Sequence, residues 1–339
     1  MSTLLDGALP PAQTPHLFGH AAAERFLAES YSSGKGHHAI LIEGPEGIGK
    51  ATLAFRFAYH VLTHPEPAEA PAMLSDPDPQ SLVYRQIVSG ASHNLLHLTR
   101  PLDEKTGREK SAITVEEVRR AGRFFSQTSG TGNWRIVIVD PADDLNRNAA
   151  NALLKILEEP PRRALFLVLT HAPGKLLPTI RSRCLPLALR PLSPTHLAEA
   201  LGALGVALPA ARANEVLTAA KGSVAEALKL VNHGGLDILE AFGAILSKTD
   251  TAARKEMHRL ADVLSAKDSG TIFDFFTALV ETHVQDAARQ AARAGEGARA
   301  DRLASLSTAL TEKLATAEAY NLDRKQTILS LIDAIRAER

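Results

Sequence analysis

Gly44-Pro45-Glu46-Gly47-Ile48-Gly49-Lys50-Ala51 decides how the rest of the chain is read. Its first seven residues fit the G-x-x-x-x-G-K frame, in which backbone N–H groups of a glycine-rich loop cradle nucleotide phosphates and the lysine reaches the β- and γ-phosphates. The frame has this meaning only between a strand and a helix, and both neighbours qualify: an apolar run at 39–42 precedes it and a helical pattern at 52–61 follows. Gly44, Gly47, Gly49 and Lys50 are therefore candidate nucleotide contacts. The eighth position departs from the pattern. It normally supplies a Ser or Thr hydroxyl to a magnesium ion, and here it is Ala51. A helical neighbour is turned by roughly 100°, so Thr52 does not take over the metal contact, although it stays among the candidate nucleotide-site residues.

A second motif lies downstream. Ile136-Val137-Ile138-Val139 is an apolar strand pattern that ends in Asp140, a residue suited to help hold magnesium. The acid expected next to it, which would polarise an attacking water, is replaced by Pro141. Asp143 and Asp144 read as the opening of a helix that runs through Leu157. Hydrolysis by this chain is not expected.

The remaining apolar runs, at 94–99, 165–170 and 185–189, are short and mostly unbroken by polar residues. That pattern suits strands covered on both faces of a parallel sheet, with helices as crossovers. Pro65, Pro67, Pro71, Pro77 and Pro79 make residues 63–80 a loop. Thr114 and Glu117 form a capping box that opens a helix carrying Arg119, Arg120 and Arg123. Gly130, Gly132 and Asn133 close the connection into the next strand. Ser193-Pro194 is a cap followed by proline at the first helical position. Beyond it come short helices broken at Gly205, Pro209 and Gly222, and a hinge at His233-Gly234-Gly235. Leu303, Leu306, Leu310 and Leu314 form one apolar stripe, and Ile328, Leu331, Ile332 and Ile335 another. The fold expected is an α/β nucleotide-loop domain with a parallel sheet at 1–190, a small helical lid at 191–232 and an all-α domain at 233–339.

Lysine plus arginine balance aspartate plus glutamate at 38 each, so any contact with nucleic acid or membrane has to come from a local cluster. The lone Cys184 excludes an intrachain disulfide and a cysteine zinc site. No apolar run reaches the roughly 18 residues of a membrane helix, and the first fifteen residues lack a secretion signal. A cytoplasmic protein with no membrane partner is expected. His60 and His64 are four apart and share a helix face, yet two histidines make a poor structural zinc site, so no metal is expected.

The stretch Asn151-Ala152-Leu153-Leu154-Lys155-Ile156-Leu157-Glu158-Glu159-Pro160-Pro161, the strand at 166–170 and Ile180-Arg181-Ser182-Arg183-Cys184 are together specific. They resemble the core of bacterial DNA polymerase III clamp-loader subunits of the AAA+ class, and within that family its delta-prime branch. Leu17-Phe18-Gly19-His20 and Gly34-Lys35-Gly36-His37-His38-Ala39 resemble the same family, as do the helical middle and C-terminal parts. The resemblance implies a AAA+ fold with a lid and a collar. It implies that Arg183 acts as an arginine finger in the nucleotide site of a neighbouring subunit, where such a group is worth roughly 10³–10⁵ in rate. Thr170 falls where the family has a polar sensor. Lys221-Gly222-Ser223-Val224-Ala225-Glu226-Ala227-Leu228 resembles its second sensor helix, with Ala225 in place of the usual arginine.

The partners so implied are gamma/tau and delta subunits, a sliding clamp and primer-template DNA, in the role of a stator that binds ATP, if at all, without hydrolysing it. Many relatives carry a four-cysteine zinc module, which this chain lacks. Lys155 and Arg119 match positions that track DNA phosphates, contacts that give affinity and salt dependence but little sequence reading. Two other readings stay open at this point: an active gamma/tau-like ATPase, and a DNA-binding module with a vestigial nucleotide site.

Overall fold

Five short strands, β1 (Ala39–Glu43), β2 (Leu95–Leu98), β3 (Arg135–Val139), β4 (Ala164–Thr170) and β5 (Leu185–Ala188), join in one sheet of order β2-β3-β4-β1-β5. Every pairing is parallel, with Ala39 opposite Phe166, Ile40 opposite Leu185 and Ile136 opposite Leu165. The computed structural model describes residues 5–103, 107, 109–126, 132–248, 250–267 and 269–338; Gly130 of the expected β3 entry lies outside them. β3 and β4 are buried along their whole length and β1 nearly so, as their unbroken apolar runs require. The edge strand β5 alternates between half-buried and exposed residues.

The sheet separates two apolar layers. Ile40, Ile42, Ile138, Leu167 and Leu169 face α1 (Ala21–Ser32) and α2 (Lys50–Thr63) through Leu27, Leu53, Phe57 and Val61. Leu41, Val137, Val139, Phe166 and Val168 face α4 (Val115–Ser126), α5 (Arg147–Glu158) and α6 (Pro178–Arg181) through Val118, Leu153, Leu157 and Ile180. The chain leaving β1 therefore departs to one face, and the chain leaving β4 to the other. Such a switch point opens a crevice at the carboxyl ends of the strands, where open α/β sheets bind ligands.

The proline-rich stretch contains a short turn of 3-10 helix at Pro67–Glu69 and is followed by α3 (Leu82–Val88), a helix that its sequence did not announce. One buried arginine pins this region. Arg56 of α2 pairs with Glu24 of α1 at 2.7 Å and with Asp76 at 2.9 Å, and donates to the Pro15 carbonyl.

Contacts divide the chain into two units, Met1–Leu208 with Ala213–Glu226, and Pro209–Arg212 with Ala227–Arg339. The first unit includes α7 (Pro194–Ala203), α8 (Ala213–Ala219) and the start of α9 (Val224–Asn232). Ser193 caps α7 as its sequence predicts, its hydroxyl accepting from the His196 N–H at 3.2 Å. In the second unit, α10 (Gly235–Ser247), α11 (Asp250–Leu264), α12 (Gly270–Arg293), α13 (Gly297–Ala319) and α14 (Arg324–Ala337) are helical throughout. Ile328, Leu331, Ile332 and Ile335 are all buried, whereas on α13 Leu303 and Leu310 are buried and Leu306 and Leu314 half-exposed. Among the described residues no helix is long and apolar enough to cross a membrane.

His60 sits 1 % exposed against the rings of Tyr31 and His64, and neither of its ring nitrogens has a hydrogen-bond partner among the described residues. Burial, with a smaller push from His64, lowers its pKa to about 4. Between that value and the ordinary 6.5 the unfolded chain binds the extra proton, so stability rises with pH through this window and is lost as pH falls from 6.5 towards 4. The full effect is up to roughly 3 kcal/mol. His60→Phe should unfold in urea with a visibly smaller loss of stability between pH 7 and pH 4.5 than the unaltered chain. An identical pH slope in both would mean that other groups carry it.

Candidate functional site

The glycine-rich loop starts at the end of β1, where the Gly44 N–H still donates to the Thr170 carbonyl of β4 at 3.2 Å. Gly47 has φ +73°, and a Cβ on it would stand 2.4 Å from the Ser223 hydroxyl and 2.6 Å from Cβ of Ala225. Glycine is required there both for the left-handed backbone and for space. The Gly47 carbonyl accepts from the Val224 N–H at 2.8 Å, so the start of α9 rests directly on the loop. Gly49 closes the loop at φ +103° and serves as the N-cap of α2.

Lys50 begins that helix and is 4 % exposed. Its ammonium donates to the Gly44 carbonyl at 2.7 Å, the Pro45 carbonyl at 2.5 Å and Nδ1 of His171 at 2.7 Å. Burial lowers its pKa to about 8 against the opposing pull of Asp140, Glu46 and Asp143. Burial also lowers the pKa of His171, and the Lys50 charge adds to the effect. Ala51 packs its methyl group against the core, and Thr52 is half-buried beside it in the first turn of α2.

Asp140 ends β3, with Oδ2 3.4 Å from Nε2 of His97. Asp143 and Asp144 do not open α5, contrary to expectation. They lie in a 3-10 turn, Ala142–Asp144, and α5 starts at Arg147 with Asn146 as its cap, accepting from the Ala149 N–H at 2.9 Å. The Asp143 carboxylate instead turns to the end of β4. It accepts from the Thr170 hydroxyl at 2.9 Å, the His171 N–H at 2.7 Å and the Ala172 N–H at 3.1 Å. Thr170 is wholly buried. Asp144 pairs with Arg100 at 3.3 Å, and burial raises its pKa in spite of that partner.

The structure thus brings Gly44, Lys50, Asp140 and Thr170 together and adds Asp143, which the sequence had assigned to a helix start, and His171, which it did not single out. Arg183 is engaged elsewhere. It follows α6, with Nη2 2.7 Å from Glu158 at the end of α5 and Nη1 donating to the Thr179 carbonyl at 3.0 Å. Its neighbour Cys184 is buried, and burial pushes the thiol pKa up to about 11. Lys155 is exposed in the last turn of α5, while Arg119 on α4 lies 3.7 Å from Glu116 one turn away. No group of three or more candidate metal ligands occurs among the described residues.

A family model described as DNA polymerase III, delta subunit matches residues 19–193, just over half the chain. The chain belongs to this family. The matched span holds the loop, Asp140, Asp143, Thr170 and Arg183. The chain is similar to DNA polymerase III subunit delta' of Pseudomonas aeruginosa, 37% identical over 147 residues that make up 43% of this chain and 41% of that protein. Subunit delta' of Bacillus subtilis is 31% identical over 206 residues, 61% of this chain and 57% of the relative. Subunit gamma of Buchnera aphidicola is 28% identical over 183 residues, 54% and 46% of the two chains. The chain spans about half the length of the curated relatives it matches. Delta', gamma and tau subunits of DNA polymerase III are among its relatives.

In this delta-family chain the β4 end depends on one carboxylate. Asp143→Ala leaves a buried hydroxyl and two backbone N–H groups without their acceptor, and hydrogen bonds to a charged group contribute about 1.5–3 kcal/mol each. Because such losses overlap within one network, urea unfolding should register a destabilisation of about 3 kcal/mol. Asp143→Asn, which keeps one acceptor oxygen, should lose less. Equal stability of all three chains would remove Asp143 from this role.

Proposed function

We propose that this chain is a non-hydrolysing, delta-prime-type subunit of a DNA polymerase III clamp loader, and that it supplies Arg183 in trans to the nucleotide site of a neighbouring ATPase subunit. The observation that carries the reading is the contrast between its two polar centres. Its own loop has lost the magnesium hydroxyl at Ala51, the catalytic acid at Pro141 and the sensor arginine at Ala225, whereas Arg183 remains 35 % exposed on a partner that is itself 42 % exposed. A pair so open to solvent is worth about 0–1 kcal/mol. A phosphate offers the guanidinium a stronger charge-assisted and bidentate partner, so exchange of Glu158 for a neighbour's γ-phosphate is favourable.

The loop itself fits a triphosphate in its glycine frame and does not fit an ordered magnesium, since position 51 has no oxygen. Gly44, Gly47, Gly49 and Lys50 would hold the phosphates, with Thr52, Asp140 and Thr170 around them. ATP taken up there would be kept without turnover and would supply a bound charge rather than a reaction. In this reading, residues 1–190 act as the nucleotide-binding-like domain, 191–232 as a lid and 233–339 as a collar. The partners are gamma/tau and delta subunits, and through them a sliding clamp and primer-template DNA. Lys155 and Arg119 would meet DNA phosphates from two helices that pack together. The similarity to gamma subunits favours an active ATPase as the second reading, and Ala51, Pro141 and Ala225 stand against it.

In a reconstituted loader stimulated by clamp and primed DNA, Arg183→Ala should leave assembly intact on gel filtration and slow the site it serves by roughly 10³–10⁵. Much of the total ATP turnover should then be lost. The chain alone should release no phosphate. Turnover by the isolated chain, or unchanged turnover in an intact Arg183→Ala complex, would overturn the proposal.

A further inference from the structure

We infer that His171 is a lock on the phosphate loop: its ring withholds Lys50 from any phosphate and keeps the loop closed. The inference rests on the reading that the loop keeps a triphosphate frame, and is independent of Arg183.

An ammonium group has three hydrogens and no acceptor. At Lys50 all three are used, by the carbonyls of Gly44 and Pro45 and by Nδ1 of His171. None is left to point out of the loop, and the residue is 4 % exposed. Two of these partners belong to the loop itself and move with it. The third comes from the turn after β4, and this makes the arrangement a lock rather than the resting pose of a flexible side chain. His171 is not free to give way. Its backbone N–H is held by Asp143 at 2.7 Å, and the same carboxylate holds the residues before and after it. The ring is thus presented from a fixed turn, and because an ammonium only donates, Nδ1 is the acceptor of this bond. On the other side of the loop the Gly47 carbonyl is taken by Val224, so the loop does not readily shift to carry Lys50 away from the ring.

Phosphate binding therefore requires Lys50 to leave a saturated set of partners. Removing the ring leaves one ammonium hydrogen unmet in a buried site, a state that a phosphate oxygen relieves. His171 then acts as a specificity-determining residue of a negative kind. It leaves the glycine frame in place and weakens its grip on polyphosphates.

The test uses the purified full chain and two readouts. The first needs no nucleotide: Lys50 acetylation by acetic anhydride, followed by mass spectrometry, should rise at least several-fold in His171→Ala. The second is equilibrium binding of a fluorescent ATP analogue, with and without magnesium. His171→Ala should bind at least about tenfold tighter than the unaltered chain, and the double variant His171→Ala/Lys50→Ala should lose that gain. His171→Phe, which keeps a ring and has no acceptor, gives the same expectation should the alanine variant unfold. Unchanged Lys50 labelling in either variant, with thermal unfolding like that of the unaltered chain, overturns the lock. Raised labelling without tighter binding overturns the lock as a gate on nucleotide, together with the reading that the loop keeps a triphosphate frame. It leaves the proposal for Arg183 standing.

Discussion

Ile42 lies opposite Leu169 and Glu43 opposite Thr170, and the ladder between β1 and β4 runs on for one more bond, from Gly44 to the Thr170 carbonyl. The two strands leave the sheet side by side, one into a glycine-rich loop and the other into the turn clamped by Asp143. The approach of Lys50 to His171 follows from this register. A slip of one residue would carry Ile40, Ile42, Leu167 and Leu169 into the opposite layer, where they would meet neighbours of other shapes. The hydrophobic pattern of two strands thus fixes which polar groups meet above them.

The sheet was legible because parallel strands buried on both faces leave apolar runs, and each expected run lies within a residue or two of a strand. The glycine frame was legible because its spacing is a backbone requirement. The loss of the metal hydroxyl at Ala51 could be read for the same reason. Asp143 was misread because acidic residues near a coming helix usually belong to its first turn. Its actual partners, Thr170, His171 and Ala172, lie at and just beyond the end of another strand, and no local pattern announces them. His171 was passed over because a lone histidine has no ligand spacing, and its meaning comes only from the residue it faces. The helix α3 was missed because it lies between the proline-rich loop, which ends at residue 80, and the apolar run at 94–99, and its seven residues are too few to show a helical period. On α13 the heptad-like leucines promised a buried stripe, and half of them are only partly covered.

The two polar centres differ in how their cations are held. Lys50 is dry and saturated, fixed by groups that are themselves fixed. Arg183 is wet and paired with one exposed carboxylate and the carbonyl of a short helix. The first is expensive to disturb and the second cheap, which is the physical basis for reading one site as silent and the other as offered outward. Neither property resides in the residue type, since a lysine in a glycine-rich loop and an arginine after a short helix each occur in both states.

Arg56 has a consequence of another kind. One dry guanidinium joins the segment before α1, α1 itself and the proline-rich stretch, each through a different acceptor. Three pieces of chain that touch a common buried charge cannot detach one at a time, because the first to leave strands the charge for the others. They form a single opening unit, and their amide protons should exchange with deuterium at a shared rate. A stretch with little regular structure of its own is thereby kept in register with α2 by a polar rivet.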